Sequence, residues 1–411
     1  MDKIVEITSF VAIFVGLYFE VFLLISLLEK KPALALNAAH NSSPKLPSVS
    51  VIVPCFNEET TVSKTITSLL ALDYPVDCLN IIVVNDGSTD GTRATLTAFE
   101  NNPRIQIFHK ENGGKYTALN FGIEKATSEF VGCLDSDSFV DKAALRIIMA
   151  KFRDPKVMAV TPSMIIADPK GIVRKMQRAE YSYGNFLRKI YSRIEAVHIT
   201  PGPFSFFRKE VFRKIGLYKH AHNTEDMEMA MRMQKHRMQI VSADGAFVYT
   251  VGPGTVKKLY KQRVRWVSGF ISNLIDYRDM LFKKKYGDLG LIILPFSIIG
   301  ILLSFAFVLM SLYQMTATIM NAVVKFSAVG FVAPSLRFDV FFTNTSTLSI
   351  LSLTMIAMII ALVFYEDHKA GKSRKFSFDA LYFVFLYSFI SPFWLITSIY
   401  NNLASKTAPW R

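Results

Sequence analysis

Two carboxylates one residue apart follow a short apolar run near the middle of the sequence. The run 130–134 lacks helical periodicity, as buried strands do, and Asp135 and Asp137 come directly after it. In a parallel α/β sheet, ligands collect beyond the carboxyl ends of the strands. Because Mg²⁺ binds carboxylate oxygens and shares its other positions with substrate phosphates, the turn predicts a metal–diphosphate site. An ordinary polar turn has the same residue types, so the pattern alone leaves both interpretations open.

Polar side chains also follow two other apolar runs. Asn57 and Glu58 come after one of them, and Asp86 comes at the end of the other. An aspartate at the carboxyl end of a strand can accept a hydrogen bond from the N–H of a nucleotide base. It can equally be the N-cap of the next helix, and Ser88 or Asp90 could also take that role.

A glycine turn ends in a lysine that opens a helical pattern, in the order Gly113, Gly114, Lys115. Backbone N–H groups and the dipole at a helix start favour anions, and a lysine adds positive charge beside a diphosphate. The spacing differs from a P-loop, which needs Gly-x4-Gly-Lys-Ser/Thr. A solvated lysine after a turn is the alternative interpretation.

The elements that must position these groups alternate between strand and helix. β-branched runs at 49–53 and 81–84 each end at a polar cluster, and helical patterns cover 60–72 and 90–100. Alternating strands and helices predict a parallel sheet from residue 49 to about 250. The carboxyl ends of neighbouring strands would then bring the polar clusters together.

Composition excludes an ordinary soluble protein. The chain has 411 residues, of which 51% are hydrophobic, and a formal net charge of +14. A basic balance suits nucleic acid, an anionic membrane surface or phosphate-bearing substrates. The basic residues cluster beside apolar runs, which favours the membrane over nucleic acid. The three cysteines, Cys55, Cys78 and Cys133, form no disulfide or metal pattern, which fits a reduced, cytoplasmic catalytic part.

Four long apolar runs predict membrane-spanning helices at 4–28, 289–312, 347–365 and 379–399. Basic clusters at 30–31, 283–285 and 369–375 should lie inside, which places the catalytic part inside and both termini outside. Glu20 should face other helices, because a carboxylate in lipid is costly. Residues 313–346 are ambiguous between an outer loop, an interfacial helix and another span.

Residues 255–282 predict a basic amphipathic helix. Apolar residues recur at alternating four- and three-residue spacing through Val264 and Leu274, and lysines and arginines occupy the first half. Such a helix lies at a membrane surface. The alternative is a surface helix of the soluble domain.

In this order, the motifs resemble those of the membrane family-two glycosyltransferases of GT-A fold, of the processive polysaccharide synthase type. Poly-N-acetylglucosamine and hyaluronan synthases have the most similar plan. The motifs that carry the resemblance are Asn57-Glu58, Asn85-Asp86-Gly87-Ser88, Gly114-Lys115, Asp135-Ser136-Asp137, Thr224-Glu225-Asp226 and Gln262-Arg263-Val264-Arg265-Trp266.

The resemblance implies an α/β GT-A domain with a mainly parallel sheet, joined to α-helical transmembrane segments. The expected division is an N-terminal transmembrane helix (1–31), a linker (32–48), a cytoplasmic GT-A glycosyltransferase domain (49–254), an amphipathic interfacial region with the Gln-x-x-Arg-Trp motif (255–285) and a C-terminal transmembrane region (286–411).

It also implies a role for each matched residue. Asp226 would be the general base and Asp137 the ligand of Mg²⁺ or Mn²⁺. Asp86 would contact uridine, Lys115 the diphosphate, and Asp135 the ribose or sugar of the donor. The remaining implied contacts are Asn57, Glu58 and Arg265 with the nucleotide sugar, and Gln262, Trp266 and Glu225 with the acceptor.

The implied activity is an inverting hexosyltransferase at the inner face of the cell membrane. It would move a sugar, N-acetylglucosamine in the nearest comparison, from a UDP-sugar to a growing β-linked polysaccharide. Single transfer to a lipid-linked acceptor is the alternative, and a non-catalytic sensor of nucleotide sugars is a third. The expected partners are the donor, the acceptor and membrane lipids. An accessory subunit is left open, and nucleic acid is not expected. The loop 198–208 is expected to line the acceptor site.

Overall fold

The computed structural model describes residues 2–29, 46–330, 346–369 and 378–404. The strands are β1 (Val49–Cys55), β2 (Leu79–Asp86), β3 (Ile105–Lys110), β4 (Phe130–Cys133), β5 (Ser138–Val140), β6 (Val157–Ile166), β7 (Phe206–Arg208) and β8 (Gln239–Thr250). The helices are α1 (Asp2–Leu28), α2 (Val62–Leu70), α3 (Thr92–Thr97), α4 (Lys115–Lys125), α5 (Ala144–Lys151), α6 (Ile172–Arg193), α7 (Lys209–Ile215), α8 (Glu225–Lys235), α9 (Val256–Asp276), α10 (Leu294–Val329), α11 (Thr347–Lys369) and α12 (Asp379–Leu403).

The strands form one mixed sheet in the order β3-β2-β1-β4-β7-β6-β8-β5. The first four strands are parallel, as the alternating pattern predicts, and the run 130–134 forms β4 beside β1. β7 pairs antiparallel with both β4 and β6, and β5 pairs antiparallel with β8. The predicted α/β class with a mainly parallel sheet is confirmed.

Helices cover both faces of the sheet, which explains why its central strands are apolar throughout. Successive side chains of a strand point to opposite faces. Val51 therefore packs in one core with Ile66 of α2, and Ile52 packs in the other with Leu119 of α4. Every residue of β1 is buried. The two cores fix the strand ends from which the polar clusters project.

Four helices are long and apolar enough to cross a membrane: Val5–Leu28, Leu289–Val329, Thr347–His368 and Asp379–Leu403. The segment 313–329, which the sequence left ambiguous, continues α10, and 331–345 lie outside the described residues. Glu20 is buried, with 4% of its surface exposed, as expected for a carboxyl group facing other helices. The basic clusters at 30–31 and 370–375 lie outside the described residues, as does most of the predicted linker 32–48.

The predicted amphipathic helix corresponds to α9, which the Thr255 hydroxyl caps by accepting a hydrogen bond from the Lys258 N–H at 3.3 Å. The helix ends at Asp276 and is followed by short 3₁₀ turns. Val264 packs on Trp394 of α12. Protein therefore covers the apolar face of α9.

Candidate active site

The Asp-x-Asp turn and the Gly-Lys turn meet beyond the carboxyl ends of β1 and β4. Lys115, the first residue of α4, places its Nζ 2.6 Å from Asp135 Oδ1 and 3.4 Å from Glu225 Oε1. One ammonium thus joins motifs that are 20 and 110 positions away in the chain. This contact brings the predicted donor residues next to the Thr-Glu-Asp motif.

Lys115 is held in its charged form at this junction. Burial alone would favour the neutral amine, but the carboxylates of Asp135 and Glu225 outweigh it and raise the pKa of Lys115. Glu225 is itself buried, with 8% of its side chain exposed. A permanent positive charge therefore lies among the acids.

Asp137 lies in an excess of negative charge. Burial raises the pKa of its carboxyl to about 6, and the nearby carboxylates of Asp135 and Glu58 add to the effect. The Ser138 hydroxyl donates a hydrogen bond to Asp137 Oδ1 at 3.2 Å. A cation at this position would relieve the repulsion between the acids.

Within the described ranges, no group of three or more His, Cys, Asp or Glu side chains forms a complete metal cage. Mg²⁺ and similar ions at phosphate sites use one or two carboxylates and take further ligands from the substrate. Asp135 and Asp137 supply that number of carboxylates. Asp135 is paired with Lys115, and the negative charge that remains around Asp137 fits a divalent cation that binds together with a diphosphate.

Asp226 begins the second half of the site, in the first turn of α8. Burial and the neighbouring Glu225 carboxylate raise the pKa of its carboxyl to about 6, although the charges of Lys115 and Arg265 oppose them. The Met227 N–H donates to Asp226 Oδ1 at 2.9 Å, and the Thr200 hydroxyl donates to the Asp226 carbonyl at 2.8 Å. These contacts fix a carboxylate whose affinity for protons is raised, as a general base requires.

Helix α9 carries the Gln-x-x-Arg-Trp motif and brings Arg265 beside the Thr-Glu-Asp motif. Arg265 donates to the Asn223 carbonyl at 2.8 Å, and its charge acts on Asp226. The Oε1 atom of Gln262 is buried and accepts no hydrogen bond within the described structure. The Arg263 guanidinium lies 4.2 Å from the centre of the Trp266 ring, in a cation–π contact.

A close helix–loop contact sets the distance between α9 and the acids. Asn273 Nδ2 donates to Thr224 Oγ1 at 3.0 Å, and a methyl group added at Gly269 would overlap the Thr224 side chain. The loop preceding Glu225 and Asp226 therefore rests directly on the backbone of α9, where only a glycine fits.

Asp86 contacts the glycine turn rather than standing free. Its two carboxylate oxygens accept hydrogen bonds from the N–H groups of Gly113 and Gly114 at 3.1 and 2.9 Å, and Lys110 Nζ lies 2.5 Å from Oδ1. Asp86 is not the N-cap of the next helix, because α3 begins after Gly91, and it is Asp90 Oδ1 that accepts a hydrogen bond from the Thr92 N–H at 3.0 Å. A direct contact of Asp86 with uridine stays a prediction.

The remaining predicted donor residues lie on the adjoining loops. Asn57 Oδ1 accepts a hydrogen bond from the Thr89 N–H at 2.9 Å and so links the loops after β1 and β2. Glu58 is buried near Asp137 and accepts a hydrogen bond from the Thr61 hydroxyl at 2.6 Å. Both residues shape the turn in which the acids lie.

The structure adds site residues that sequence reasoning did not assign. Lys110 pairs with Asp86, and its place at the end of β3 was a usable clue. Gly202 lies where an added methyl would come within 2.8 Å of Lys115 Nζ and 3.0 Å of Asp135 Oδ2. Thr200 and Gly202 both belong to the loop 198–208, which therefore runs between the two halves of the site.

The sequence of the chain is similar to those of known proteins. The sequence profile of glycosyl transferase family 2 matches residues 50–216. The chain is 29% identical over 365 residues to a poly-β-1,6-N-acetyl-D-glucosamine synthase of Staphylococcus epidermidis, covering 87% of this chain and 85% of the relative. It is 30% identical over 344 residues to the same synthase from S. epidermidis RP62A, covering 82% and 80%.

The fold has a solved counterpart. A mannosyltransferase of Pyrobaculum calidifontis, solved in complex with GDP-Man and Mn²⁺, superposes with a TM-score of 0.63 at 20% identity and covers 99% of this chain and all of its own. At that identity the likeness shows the GT-A fold alone. The predicted fold class is confirmed.

Proposed function

Because the chain belongs to glycosyl transferase family 2, we propose that it is an inverting enzyme that builds a β-linked polysaccharide at the inner face of a membrane. The donor is a UDP-sugar, and the relatives that make poly-β-1,6-N-acetyl-D-glucosamine favour UDP-N-acetylglucosamine. The observation that carries the proposal is the double contact of Lys115 with Asp135 and Glu225. It joins a site for a charged donor to a site for proton removal.

On the donor side, positively and negatively charged groups contact different parts of the nucleotide sugar. Lys115 and Arg265 lie where they can neutralise the charge that develops on the leaving diphosphate. Asp135 contacts the ribose or the sugar, and Asn57, Glu58 and Asp86 form the walls of the nucleotide site. A divalent cation, Mg²⁺ or Mn²⁺, would be held by Asp137 together with the diphosphate and would act as a Lewis acid on its oxygens.

Transfer is a single displacement at the anomeric carbon. The acceptor hydroxyl oxygen forms the new bond to that carbon, and the bond to the phosphate oxygen breaks with its electron pair leaving on UDP. Asp226 Oδ accepts the proton of the attacking hydroxyl, for which the raised pKa suits it. Attack opposite the leaving group inverts the centre, so an α-linked donor yields a β-linkage.

The acceptor lies against Trp266. A flat indole face binds the apolar face of a sugar ring, and Gln262 Oε1 offers a buried hydrogen-bond acceptor beside it. Glu225 and the loop 198–208 complete the acceptor side. Of these groups, Glu225 directly precedes the proposed base Asp226 in the chain, and Thr200 of the loop donates a hydrogen bond to the Asp226 carbonyl.

Contacts between the domain and the membrane helices support a cytoplasmic catalytic domain. Arg193 of α6 donates to the Leu27 carbonyl at the end of α1, and Lys189 lies 3.3 Å from Glu366 at the end of α11. These helix ends precede the basic segments 30–31 and 369–375. Basic segments beside spans favour the cytoplasmic side, where nucleotide sugars are made.

Single transfer to a lipid-linked acceptor is the second candidate, because the described chain offers only four helices long enough to span a membrane, which makes a narrow conduit. To separate the two, membranes with the full chain are offered each labelled UDP-sugar in turn, and products are sized by mass spectrometry. A ladder of many additions from one UDP-sugar supports the synthase. Products with one added sugar, at every donor concentration, would replace it with the single-transfer enzyme.

A further inference from the structure

We propose that α12 does not cross the membrane but lies along its surface, between the lipid and the catalytic domain. Its length and composition resemble those of a span. Its contacts are those of a helix that rests on the domain from its first turn to its last. The end of α12 then lies on the same side of the membrane as the catalytic domain, not on the opposite side as expected from the sequence.

The first half of α12 is bonded to α6. Arg178 Nη2 lies 2.6 Å from Asp379 Oδ2, and the Tyr387 hydroxyl donates a hydrogen bond to Glu180 Oε2. Helix α6 is part of the catalytic domain, because Asn185 exchanges two hydrogen bonds with the backbone of Met164 in β6, at 2.9 and 2.8 Å. The start of α12 is therefore at the domain surface.

The second half of α12 is bonded to α9. The Tyr260 hydroxyl lies 2.6 Å from Thr397 Oγ1, and Ser398 Oγ donates to the Val264 carbonyl at 3.2 Å. One turn further, Asn402 Nδ2 donates to the Ser268 carbonyl at 3.2 Å. These contacts continue to the last turn of α12.

A helix that crosses the bilayer cannot touch a water-exposed domain at both ends. The 25 residues of α12 extend about 37 Å, and the hydrocarbon core is about 30 Å thick. If α12 crossed it, Ser268 would lie on the far side of the membrane from Arg178. Ser268 precedes Gly269, which rests on Thr224 beside Glu225 and Asp226. Both ends of α12 therefore belong to the side on which the donor binds.

The uncovered face of α12 fits a lipid surface. Large apolar side chains recur there at spacings of three and four residues, so they share one stripe. The members of this stripe and their exposed fractions are Phe385 (52%), Phe389 (74%), Phe393 (65%), Ile396 (39%), Tyr400 (57%) and Leu403 (83%). In the second half of α10, by contrast, side chains on every side of the helix are exposed between 311 and 330, as expected of a span without its lipid.

The charge of the neighbouring helix suits the same partner. Lys257, Lys258 and Lys261 are exposed in the first turns of α9, which packs alongside the end of α12. Lysines beside an apolar stripe attract anionic headgroups. Helix α9 also carries Trp266. The proposed acceptor site is therefore separated from the lipid surface by a single helix.

Cysteine labelling of the full chain tests the placement without reference to catalysis. In a Cys78→Ser background, where the remaining Cys55 and Cys133 are buried, single cysteines are introduced as Lys3→Cys, Glu124→Cys and Ala404→Cys. Intact and permeabilised cells are treated with a membrane-impermeant maleimide. The proposal expects Ala404→Cys to label in the same cells as Glu124→Cys on α4. Labelling that instead follows Lys3→Cys, at the far end of α1, overturns it.

Two matched substitutions to arginine provide a second measurement, which does not depend on the expression of the cysteine variants. Phe389→Arg lies on the exposed stripe, where an arginine can reach the headgroups. Leu309→Arg lies near the middle of the candidate span Leu289–Val329, where it cannot. We expect Phe389→Arg to accumulate in the membrane to within about twofold of the wild type and Leu309→Arg to fall about tenfold or more. An equal fall in both variants would mean that α12 crosses the bilayer.

Discussion

The Nζ atom of Lys115 lies 2.6 Å from Asp135 Oδ1, although Lys115 opens helix α4 and Asp135 lies in the turn after strand β4. The same nitrogen lies 3.4 Å from Glu225 Oε1. A single ammonium group thus connects the turn proposed to bind the donor with the loop that carries the proposed base.

Removal of the Lys115 charge should slow turnover more than it weakens the fold. We expect Lys115→Met to reduce kcat about 100-fold or more, because one preorganised charge on the leaving diphosphate is lost. The matched control is Lys125→Met, an exposed lysine in the last turn of the same helix. Steady-state UDP release and a thermal melt separate the two effects. Equal rates in the two variants would remove Lys115 from the donor site.

The pH dependence of kcat/KM should report the carboxyl group of Asp226 in the free enzyme. Its folded pKa is raised to about 6, so protonation removes the base below that pH, and kcat/KM should fall about tenfold per unit there and level off above it. Glu225 raises the pKa of Asp226, so Glu225→Gln should move this fall to lower pH. A fall that stays in place in Glu225→Gln would assign the titration to another group.

A divalent cation should stabilise the protein through Asp137. At about 100 times its dissociation constant, an ion that binds only the folded chain adds about 2.7 kcal/mol to the free energy of unfolding. We expect Mn²⁺ with UDP to raise Tm in the wild type and a chelator to abolish turnover. Asp137→Asn should melt higher than the wild type without metal, because like charges are relieved, and should lose the response to Mn²⁺. A response retained in Asp137→Asn would place the ion elsewhere.

The contact between α9 and the Thr224 loop should depend on Gly269. Gly269→Ala forces the loop away, and overpacking of this kind costs about 1–3 kcal/mol of stability and shifts Asp226 relative to Arg265. We expect at least a tenfold loss of kcat with little change in donor binding. Gly300→Ala, in α10, is the control, since nothing lies within 4 Å of its added methyl. Its activity should match the wild type, and a similar loss in both variants would point to a general effect of the substitution.

Much of the site follows from the sequence, because parallel strands bring their carboxyl ends to one edge. Asp86, Asp135 and the Asn57 loop all come at the ends of strands whose apolar runs can be recognised in the sequence. Their common location needed only the alternation of strands and helices. The GT-A class and the family could be predicted from the resemblance of the ordered motifs to those of family-two glycosyltransferases.

The rest depends on contacts between residues far apart in the chain. Nothing in the local pattern indicates that Gly202 would lie against Lys115, and only the pairing of β2 with β3 brings Lys110 to Asp86. The same holds for α12, whose apolar composition predicts a span. Its hydrogen bonds to α6 and α9 come from a few polar residues that hydropathy averages conceal, such as Tyr387, Ser398 and Asn402.

The central claim is that Asp226 removes the proton from an acceptor hydroxyl at a donor site built around Lys115. The most direct measurement compares purified full-length wild type and Asp226→Asn, supplied with UDP-N-acetylglucosamine and Mn²⁺, for UDP release and donor affinity. We predict β-linked product and UDP from the wild type. For Asp226→Asn we predict turnover reduced about 10²–10⁴-fold with unchanged donor affinity. Turnover in Asp226→Asn within a few-fold of the wild type would contradict the claim.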